Sequence, residues 1–190
     1  MIRPGLAALA LLAALGGCAD TRLGTPQPTF SGLRAVRAAN IQPLAVGRFA
    51  PGPDLPAGRN ERLVVRAAPL RPPAGSTFSA YLAETLRANL ASDNRLDQSA
   101  ALTLSGILTE NAITAGLGDG RGSLAATFML ERQGREIWRK TIRVERQWSS
   151  SVLGSVAYMQ AEQGYGGLFQ TLVERLFADP EFQQAARAAS

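Results

Sequence analysis

The stretch "SLAATFMLERQGREIWRKTIRVERQW", residues 123–148, decides the fold of this 190-residue chain. On each side of Gln133-Gly134, apolar residues recur at every second position, which is the period of a β-strand with one buried face. A Gln-Gly pair between two such runs favours a tight hairpin turn. The stretch therefore predicts two antiparallel strands with an inward face of Leu124, Ala126, Phe128 and Leu130 on the first strand and Trp138, Ile142, Val144 and Trp148 on the second.

Segments on the N-terminal side of this hairpin extend the sheet. Residues 101–113 alternate in the same way and predict a third long strand. Shorter apolar runs within residues 41–50 and 61–68 predict two further strands. Strands with one buried face are typical of an antiparallel sheet whose other face meets solvent. The inward residues of the third strand are Leu102, Leu104, Gly106 and Leu108.

The clearest helix lies within residues 69–94, where a leucine recurs at every fourth position near the centre. Ser76 or Thr77 can cap its first turn with a side-chain oxygen. Asn94 can adopt the left-handed conformation that ends a helix. The sequence therefore predicts one amphipathic helix between the second and third strands.

The C-terminal region, residues 151–180, predicts a helix, a glycine-rich break at "EQGYGG" (162–167) and a second helix. The predicted order of elements is β-β-α-β-β-β-α. This order predicts an α+β two-layer sandwich, a mostly antiparallel sheet with two main helices on one face. Residues 41–190 are expected to form this single domain.

A short basic and then apolar segment opens the chain. Arg3 is followed by a run of Leu and Ala that ends at Leu15. A positive start, a short apolar run and small residues before a cleavage point are the parts of a secretory signal. The apolar run is too short to span a bilayer, which takes about 20 residues. Residues 1–17 are therefore predicted to be a signal peptide.

Cys18 is the single cysteine of the chain. The sequence Leu15-Gly16-Gly17-Cys18 resembles the lipobox of bacterial lipoproteins, which implies that a diacylglyceryl group is attached to the Cys18 sulfur and that Cys18 begins the mature chain. Two or more acyl chains anchor a protein stably, whereas one binds only marginally. In the family's sorting rule, Ala19 rather than aspartate at the second position implies the outer membrane. The alternative is a secreted protein with an unpaired thiol, which is unusual in an oxidising compartment.

Between Cys18 and the domain, the stretch "ADTRLGTPQPTFSG" (19–32) carries two prolines and shows no hydrophobic period. Such a composition is typical of a linker. Residues 18–40 are therefore predicted to be a lipidated N-terminus and a flexible tether that holds the domain clear of the membrane.

The composition excludes several kinds of site. Histidine is absent, so the commonest general base and the commonest metal ligand are both missing. With Cys18 assigned to lipid, no thiolate remains for a metal, and we expect no cofactor and no metal. The formal net charge of +5 is a surface property in an exported protein, and we expect no nucleic-acid partner.

Two patterns could carry chemistry. The glycine-rich "AGLGDGRG" (115–122) lacks the Lys-Ser/Thr of a phosphate-binding loop and predicts a long mobile hairpin loop. Its single carboxylate, Asp119, is too few ligands for a calcium site. Acidic side chains could hydrolyse glycosides without histidine, but no pair stands out among Glu110, Glu131, Glu136 and Glu145. The sequence therefore predicts a protein that is not an enzyme.

Four residues are candidate contacts for a partner. Arg121 lies in the glycine-rich segment, and Arg139 and Arg143 lie on the polar face of the last strand. Tyr165 lies in the predicted helix break, where it would be exposed. Ordinary solvation of a sheet face and an ordinary helix connection explain these positions equally well.

With the lipobox, "FSAYLAETLRANL" (78–90), "LTLSGILTE" (102–110) and the strand pair that follows, the chain resembles small envelope lipoproteins. It is similar in order of elements, over about residues 41–178, to the lipopolysaccharide-assembly lipoprotein, the curli-secretion lipoprotein and the lipoprotein activators of penicillin-binding proteins. A second similar group is the auxiliary lipoproteins of ABC-type lipid transporters. Only Cys18 is carried over as a functional residue.

The resemblance implies a non-enzymatic, lipid-anchored periplasmic domain that binds or scaffolds another envelope protein. The alternative is an accessory lipoprotein of a lipid or lipopolysaccharide transport system, which would need an apolar cleft between helix and sheet. A third hypothesis, an envelope hydrolase, requires a pocket with convergent polar groups and a perturbed carboxylate.

Overall fold

The computed structural model describes residues 21–66 and 68–187. The predicted signal peptide and Cys18 lie outside the described residues. The helices and strands, in chain order, are β1 (Thr21–Arg22), α1 (Phe30–Ala39), β2 (Ala45–Pro51), β3 (Leu63–Val65), β4 (Ala68–Arg71), α2 (Phe78–Ser92), β5 (Leu102–Ala115), β6 (Gly118–Arg132), β7 (Arg135–Ser150), α3 (Gly154–Ala178) and α4 (Pro180–Ala186).

The main sheet has four strands in the order β2-β5-β6-β7. The long strands β5, β6 and β7 are antiparallel neighbours, whereas β2 pairs with β5 in parallel. At the β6–β7 turn, Gln133 and Gly134 have positive φ angles of 52° and 78°, as a two-residue type I′ turn requires. The α+β class and the hairpin are both confirmed.

The strand predicted within residues 61–68 belongs to a second, small sheet instead of the main one. This sheet has the order β1-β4-β3, with β3 antiparallel and β1 parallel to β4. Leu63, Val65 and Leu70 are buried, so the small sheet also has an inward face. Period two identifies a strand but does not say which strand it pairs with.

The tether predicted over residues 18–40 does not hold for the described part, residues 21–40. β1 is a strand of the small sheet, and α1 is a ten-residue helix. The Thr29 hydroxyl accepts a hydrogen bond from the Gly32 amide at 2.9 Å, and Asn40 ends the helix in the left-handed region. Val36 and Ala39 are fully buried, and α1 packs against α3 and α2. The two prolines in this segment suggested a linker, but the folded part of the chain includes residues well before residue 41.

Helix α2 is formed as predicted. The Thr77 hydroxyl accepts a hydrogen bond from the Ala80 amide at 3.2 Å and caps the first turn. Asn94 has a φ of 54° just beyond the helix. The leucines at every fourth position, Leu82, Leu86 and Leu90, are fully buried.

The core lies between the helices and the inward face of the main sheet. Rings from α2 and α3 meet at centroid distances of 4.8–6.2 Å. Edge-on and offset aromatic pairs at such distances stabilise a core beyond their buried area. These rings belong to Phe78, Tyr81, Tyr165 and Phe169.

The predicted helix break at residues 162–167 is absent, because α3 runs unbroken over 25 residues. Its glycines allow β7 to approach closely. A Cβ atom at Gly164 would lie 2.6 Å from the Trp148 ring, and one at Gly167 would lie 2.6 Å from Nη1 of Arg146. Within the part of the chain that the structure describes, each helix is too short or too polar to traverse a bilayer.

The long hairpin loop predicted at residues 115–122 is also wrong. The Gly116 amide donates to the Asp119 carbonyl at 2.8 Å and closes a tight turn, with Gly118 at a φ of 96°. Strand β6 begins at Gly118, so Gly120 and Gly122 are strand residues, and both are buried. Like Gly164, these glycines leave room for a bulky neighbour, the Trp148 indole.

Candidate partner-binding surface

The main sheet has a second face, which we call the outer face, turned away from the core. Its side chains are mostly small or polar, and those on β7 are exposed. The side chains of the outer face alternate with the core residues, as the strand period requires. They include Thr103, Ser105, Ile107, Glu110, Ala112 and Thr114 on β5, Arg121, Ser123, Ala125, Thr127 and Met129 on β6, and Arg139, Thr141, Arg143, Glu145 and Gln147 on β7.

A row of three residues crosses the outer face. Glu110, Ala125 and Arg143 stand side by side on β5, β6 and β7. The Arg143 guanidinium reaches over Ala125 and donates two hydrogen bonds to the Glu110 carboxylate, at 2.7 and 3.0 Å. Ala125 is only 4% exposed beneath them. A larger side chain at position 125 would separate the two charged groups.

The ion pairs continue through Glu145. Its carboxylate accepts a hydrogen bond from Arg143 at 2.9 Å and lies 3.3 Å from Nε of Arg121. With its amide turned to suit its neighbours, Gln147 also accepts hydrogen bonds from Arg121, at 2.6 and 3.2 Å. We call Glu110, Arg121, Arg143, Glu145 and Gln147 the charged cluster.

The electrostatics of the charged cluster favour the ionised forms. Hydrogen bonds from Arg143 hold the pKa of Glu110 below its ordinary value, although partial burial opposes this shift. The hydrogen bonds with Glu110 and Glu145 raise the pKa of Arg143. Two arginines and two glutamates therefore form a fixed, internally neutralised set of charges, whose arginine side chains are half exposed.

Arg139 lies on the same face but outside the charged cluster. It is four residues from Arg143, roughly 13 Å along the strand. Its guanidinium donates hydrogen bonds at 2.6–3.2 Å to the carboxylate of Glu136, near the β6–β7 turn. The structure thus brings Arg121 and Arg143 together and places Arg139 at the other end of the outer face.

Tyr165, which was expected to be exposed, is fully buried. Its hydroxyl donates a hydrogen bond to Oδ1 of Asn111, and Nδ2 of Asn111 donates to the Arg59 carbonyl at 2.5 Å. Burial raises the pKa of Tyr165 well above its ordinary value, despite this hydrogen bond. Tyr165 is therefore a core residue and cannot be an exposed contact, because α3 has no break at this point.

Beside the outer face, β7 has a free edge. Among the described strands, β7 pairs only with β6. A groove of about 360 Å³ lies where this edge meets α3 and α4. Lys140 bridges the groove with Nζ at 2.8 Å from Asp179 and 3.0 Å from Glu181. An unpaired strand edge presents backbone groups that can bind an added strand.

Sequence reasoning missed Glu110, Glu145 and Gln147 as members of one cluster. The alternating pattern showed that the residues on β7 are polar, but opposite charges on different strands meet only in one register. Among residues 21–66 and 68–187, no group of three or more acidic side chains is placed to hold a metal ion.

No family model matches the chain, and no curated protein sequence is significantly similar to it. The solved structures to which it is similar include three bacterial proteins. Protein XCC0632 from Xanthomonas campestris, described under family model DUF330, has a TM-score of 0.50 and 16% identity over 86% of this chain and 93% of its own. A minor lipoprotein from Acinetobacter baumannii has a TM-score of 0.38 and 17% identity, over 79% of this chain and 97% of its own.

The third structure, lipoprotein GNA1162 from Neisseria meningitidis, has a TM-score of 0.30 and 14% identity, over 73% of this chain and 99% of its own. The similarity to the Xanthomonas protein is a similarity of fold. A shared fold does not imply a shared function. Since no family model and no curated sequence matches the chain, the resemblance to the lipoprotein groups stays a prediction.

Proposed function

We propose that this chain is a lipid-anchored, non-enzymatic component of the bacterial cell envelope that binds or scaffolds another envelope protein. The lipid is carried by Cys18, and the domain lies on the periplasmic side of the outer membrane. The observation that carries the proposal is the outer face with its charged cluster, which ends at the free edge of β7. The partner is a protein that docks on this face.

The form of the outer face supports a protein partner. Its arginines are held in place by neighbouring carboxylates at 2.7–3.3 Å, so a partner meets charges that are already ordered. Prearranged charges favour specificity and the rate of association. The free edge of β7 adds backbone donors and acceptors that only an extended peptide can match.

The geometry gives less support to the two other hypotheses. A lipid carrier would need an apolar cleft between helix and sheet, but the rings of Phe78, Tyr165 and Phe169 fill that interface in the described residues. A hydrolase would need a carboxyl with a raised pKa as general acid. The pKa of Glu110 is shifted in the opposite direction.

In vivo photo-crosslinking tests the proposal. A photoreactive amino acid is placed at Thr141, which is exposed midway along β7 on the outer face, and, as a matched control, at Ala38, which is exposed on α1. Illumination of intact cells should link the chain to one dominant envelope protein through position 141 and not through position 38. Equal yields from the two positions, or no protein adduct at either, would contradict the outer face as the binding surface.

The same cells test the anchor. The native chain should remain in the outer-membrane fraction at high salt, and its N-terminal peptide should carry the mass of the lipid. The Cys18→Ala chain should leave this fraction. Loss of the position-141 adduct in the Cys18→Ala chain would show that anchoring brings the two proteins together.

A further inference from the structure

At one end of the molecule, three large apolar side chains are exposed to solvent. Leu117 lies in the β5–β6 turn and is 79% exposed, and Val152 and Leu153 lie in the β7–α3 loop at 74% and 65%. Side chains of this kind rarely stand together on the surface of a soluble protein unless something covers them. We call these three residues the apolar tip.

Arg66 joins the two segments of the apolar tip. Its guanidinium donates to the carbonyls of Ala115, at 3.4 Å, and of Gly116 in the β5–β6 turn, and to the carbonyl of Val152 at 3.4 Å in the β7–α3 loop. Arg66, which lies in the β3–β4 turn, therefore holds the β5–β6 turn and the β7–α3 loop side by side. The apolar side chains belong to one organised surface and not to two independent loops.

The N-terminus of the described chain approaches the same end. β1 runs parallel to β4, with Thr21 opposite Leu70 and Arg22 opposite Arg71, and the Leu23 amide donates to the Arg71 carbonyl at 2.8 Å. Because the strands are parallel, β1 runs away from the Arg66 turn, and its first residue, Thr21, lies beside Leu70, which is four residues and at most about 14 Å from Arg66.

This pairing limits the distance between the domain and the lipid. Cys18 precedes Thr21 by three residues, which span at most about 10 Å when extended. A lipid on Cys18 therefore keeps β1 and the neighbouring β4 close to the bilayer, since no long tether intervenes. On the proposed function, the end of the molecule that carries Arg66 and the apolar tip is the end that lies nearest the membrane.

We propose that the apolar tip is a second membrane contact, in which Leu117, Val152 and Leu153 enter the interface between lipid headgroups and acyl chains. Apolar side chains of peripheral proteins enter this region to a depth of about 5–10 Å. The inference rests on the proposed lipid anchor. It adds a fixed orientation, in which the sheet rises from the membrane with the β6–β7 turn at the far end.

Depth-dependent fluorescence quenching tests the inference. The lipid occupies the thiol of Cys18, so a cysteine introduced at Leu117 or Val152 is the only free thiol and can carry an environment-sensitive fluorophore. Ala101→Cys is the matched control, because Ala101 is exposed just before β5, and the strand that separates it from the β5–β6 turn is roughly 45 Å long. The full-length lipidated chain is placed in vesicles of phosphatidylethanolamine, phosphatidylglycerol and a nitroxide-labelled phosphatidylcholine.

In the expected result, the labels at 117 and 152 have blue-shifted emission and several-fold stronger quenching by the nitroxide lipid than the label at 101. Water-like emission at all three positions in a chain that floats with the vesicles would overturn the inference. A blue shift at 117 and 152 without lipid quenching would also overturn it, because the apolar tip would then be covered by a protein, such as a second copy of the chain.

Failure of the anchor is measured separately. An N-terminal peptide without the mass of the lipid before labelling, together with incorporation of fluorophore at Cys18 afterwards, would contradict the proposed function. In that case, lipid quenching of the labels at 117 and 152 would still support the apolar tip as a membrane contact, and its absence would overturn the inference as well. The three tip side chains are exposed, so their replacement leaves the core unchanged.

Discussion

On strand β7, Arg146 and Trp148 point towards α3, whereas Arg143 and Glu145 point to the outer face. On the inward side, a helix lies so close that a Cβ atom at position 164 would lie 2.6 Å from the Trp148 ring. On the outward side, the neighbours are charged side chains joined at 2.7–3.3 Å and half exposed to water. The contacts of β7 are thus close packing against α3 on one face and ion pairs on the other.

This difference between the two faces of β7 implies that the inward face contributes to stability and the outer face is available for binding. A closely packed interior has no space for an added atom and loses contacts when atoms are removed. Exposed ion pairs are screened by water and salt, and they contribute little to stability. The inward face should therefore tolerate few substitutions, and the outer face should tolerate many without unfolding. The residues of the outer face can therefore change to suit a partner without loss of the fold.

The largest effect is expected for Phe169→Ala on α3. Phe169 is fully buried and contacts three aromatic rings, so its truncation should lower the free energy of unfolding by about 3–5 kcal/mol. Phe30→Ala is the matched control, because Phe30 is 75% exposed, and its truncation should change the free energy of unfolding by about 0.5 kcal/mol or less. Urea unfolding followed by circular dichroism measures both. Similar losses in the two variants would contradict the placement of the core.

The second effect tests close approach directly. Gly164→Ala should destabilise the protein by about 1–3 kcal/mol, because the new methyl group would lie 2.6 Å from the Trp148 ring. Gly166→Ala in the same helix is the matched control, since a Cβ there would lie 3.7 Å from Leu23. This control should gain up to about 1 kcal/mol from helix propensity. If Gly164→Ala were as stable as Gly166→Ala, β7 and α3 would not be in contact at this point.

The parts of the fold that were predicted correctly are those set by local periodicity and turn chemistry. The alternation along β5, β6 and β7, the Gln133-Gly134 turn and the Thr77 cap each act within a few residues, so the sequence contains the information for them. The same reasoning gave the wrong answer for the glycines of α3. A glycine in a helix marks either a break or a close neighbour, and only the packed structure shows that the neighbour is Trp148.

The candidate surface was predicted only in part, for a related reason. Arg121, Arg139 and Arg143 were identified as exposed, and all three lie on the outer face. Their grouping depends on strand register, which sets Glu110 and Arg143 on either side of Ala125. Cross-strand pairs are tertiary contacts that no single segment encodes. Tyr165 was misplaced because its exposure depended on the predicted helix break.

The smallest effect, and the sharpest test of the outer face, is expected for Arg143→Gln. Hydrogen bonds from Arg143 hold the folded-state pKa of Glu110 below its ordinary value, which is about 4.3. A lowered pKa contributes stability above that value, and the contribution is lost as the pH falls through the folded-state pKa. The wild-type chain should therefore be slightly more stable than Arg143→Gln at neutral pH, and the difference should shrink below about pH 4.

Thermal unfolding across this pH range, together with NMR titration of the Glu110 carboxyl, measures the effect. In Arg143→Gln the pKa of Glu110 should rise towards its ordinary value. Arg121→Gln is the matched control, because Arg121 pairs with Glu145 and leaves the hydrogen bonds between Arg143 and Glu110 in place. If the two variants shifted the Glu110 titration equally, the general charge of the outer face would set that pKa. The row across Ala125 would then not be the organising contact of the charged cluster.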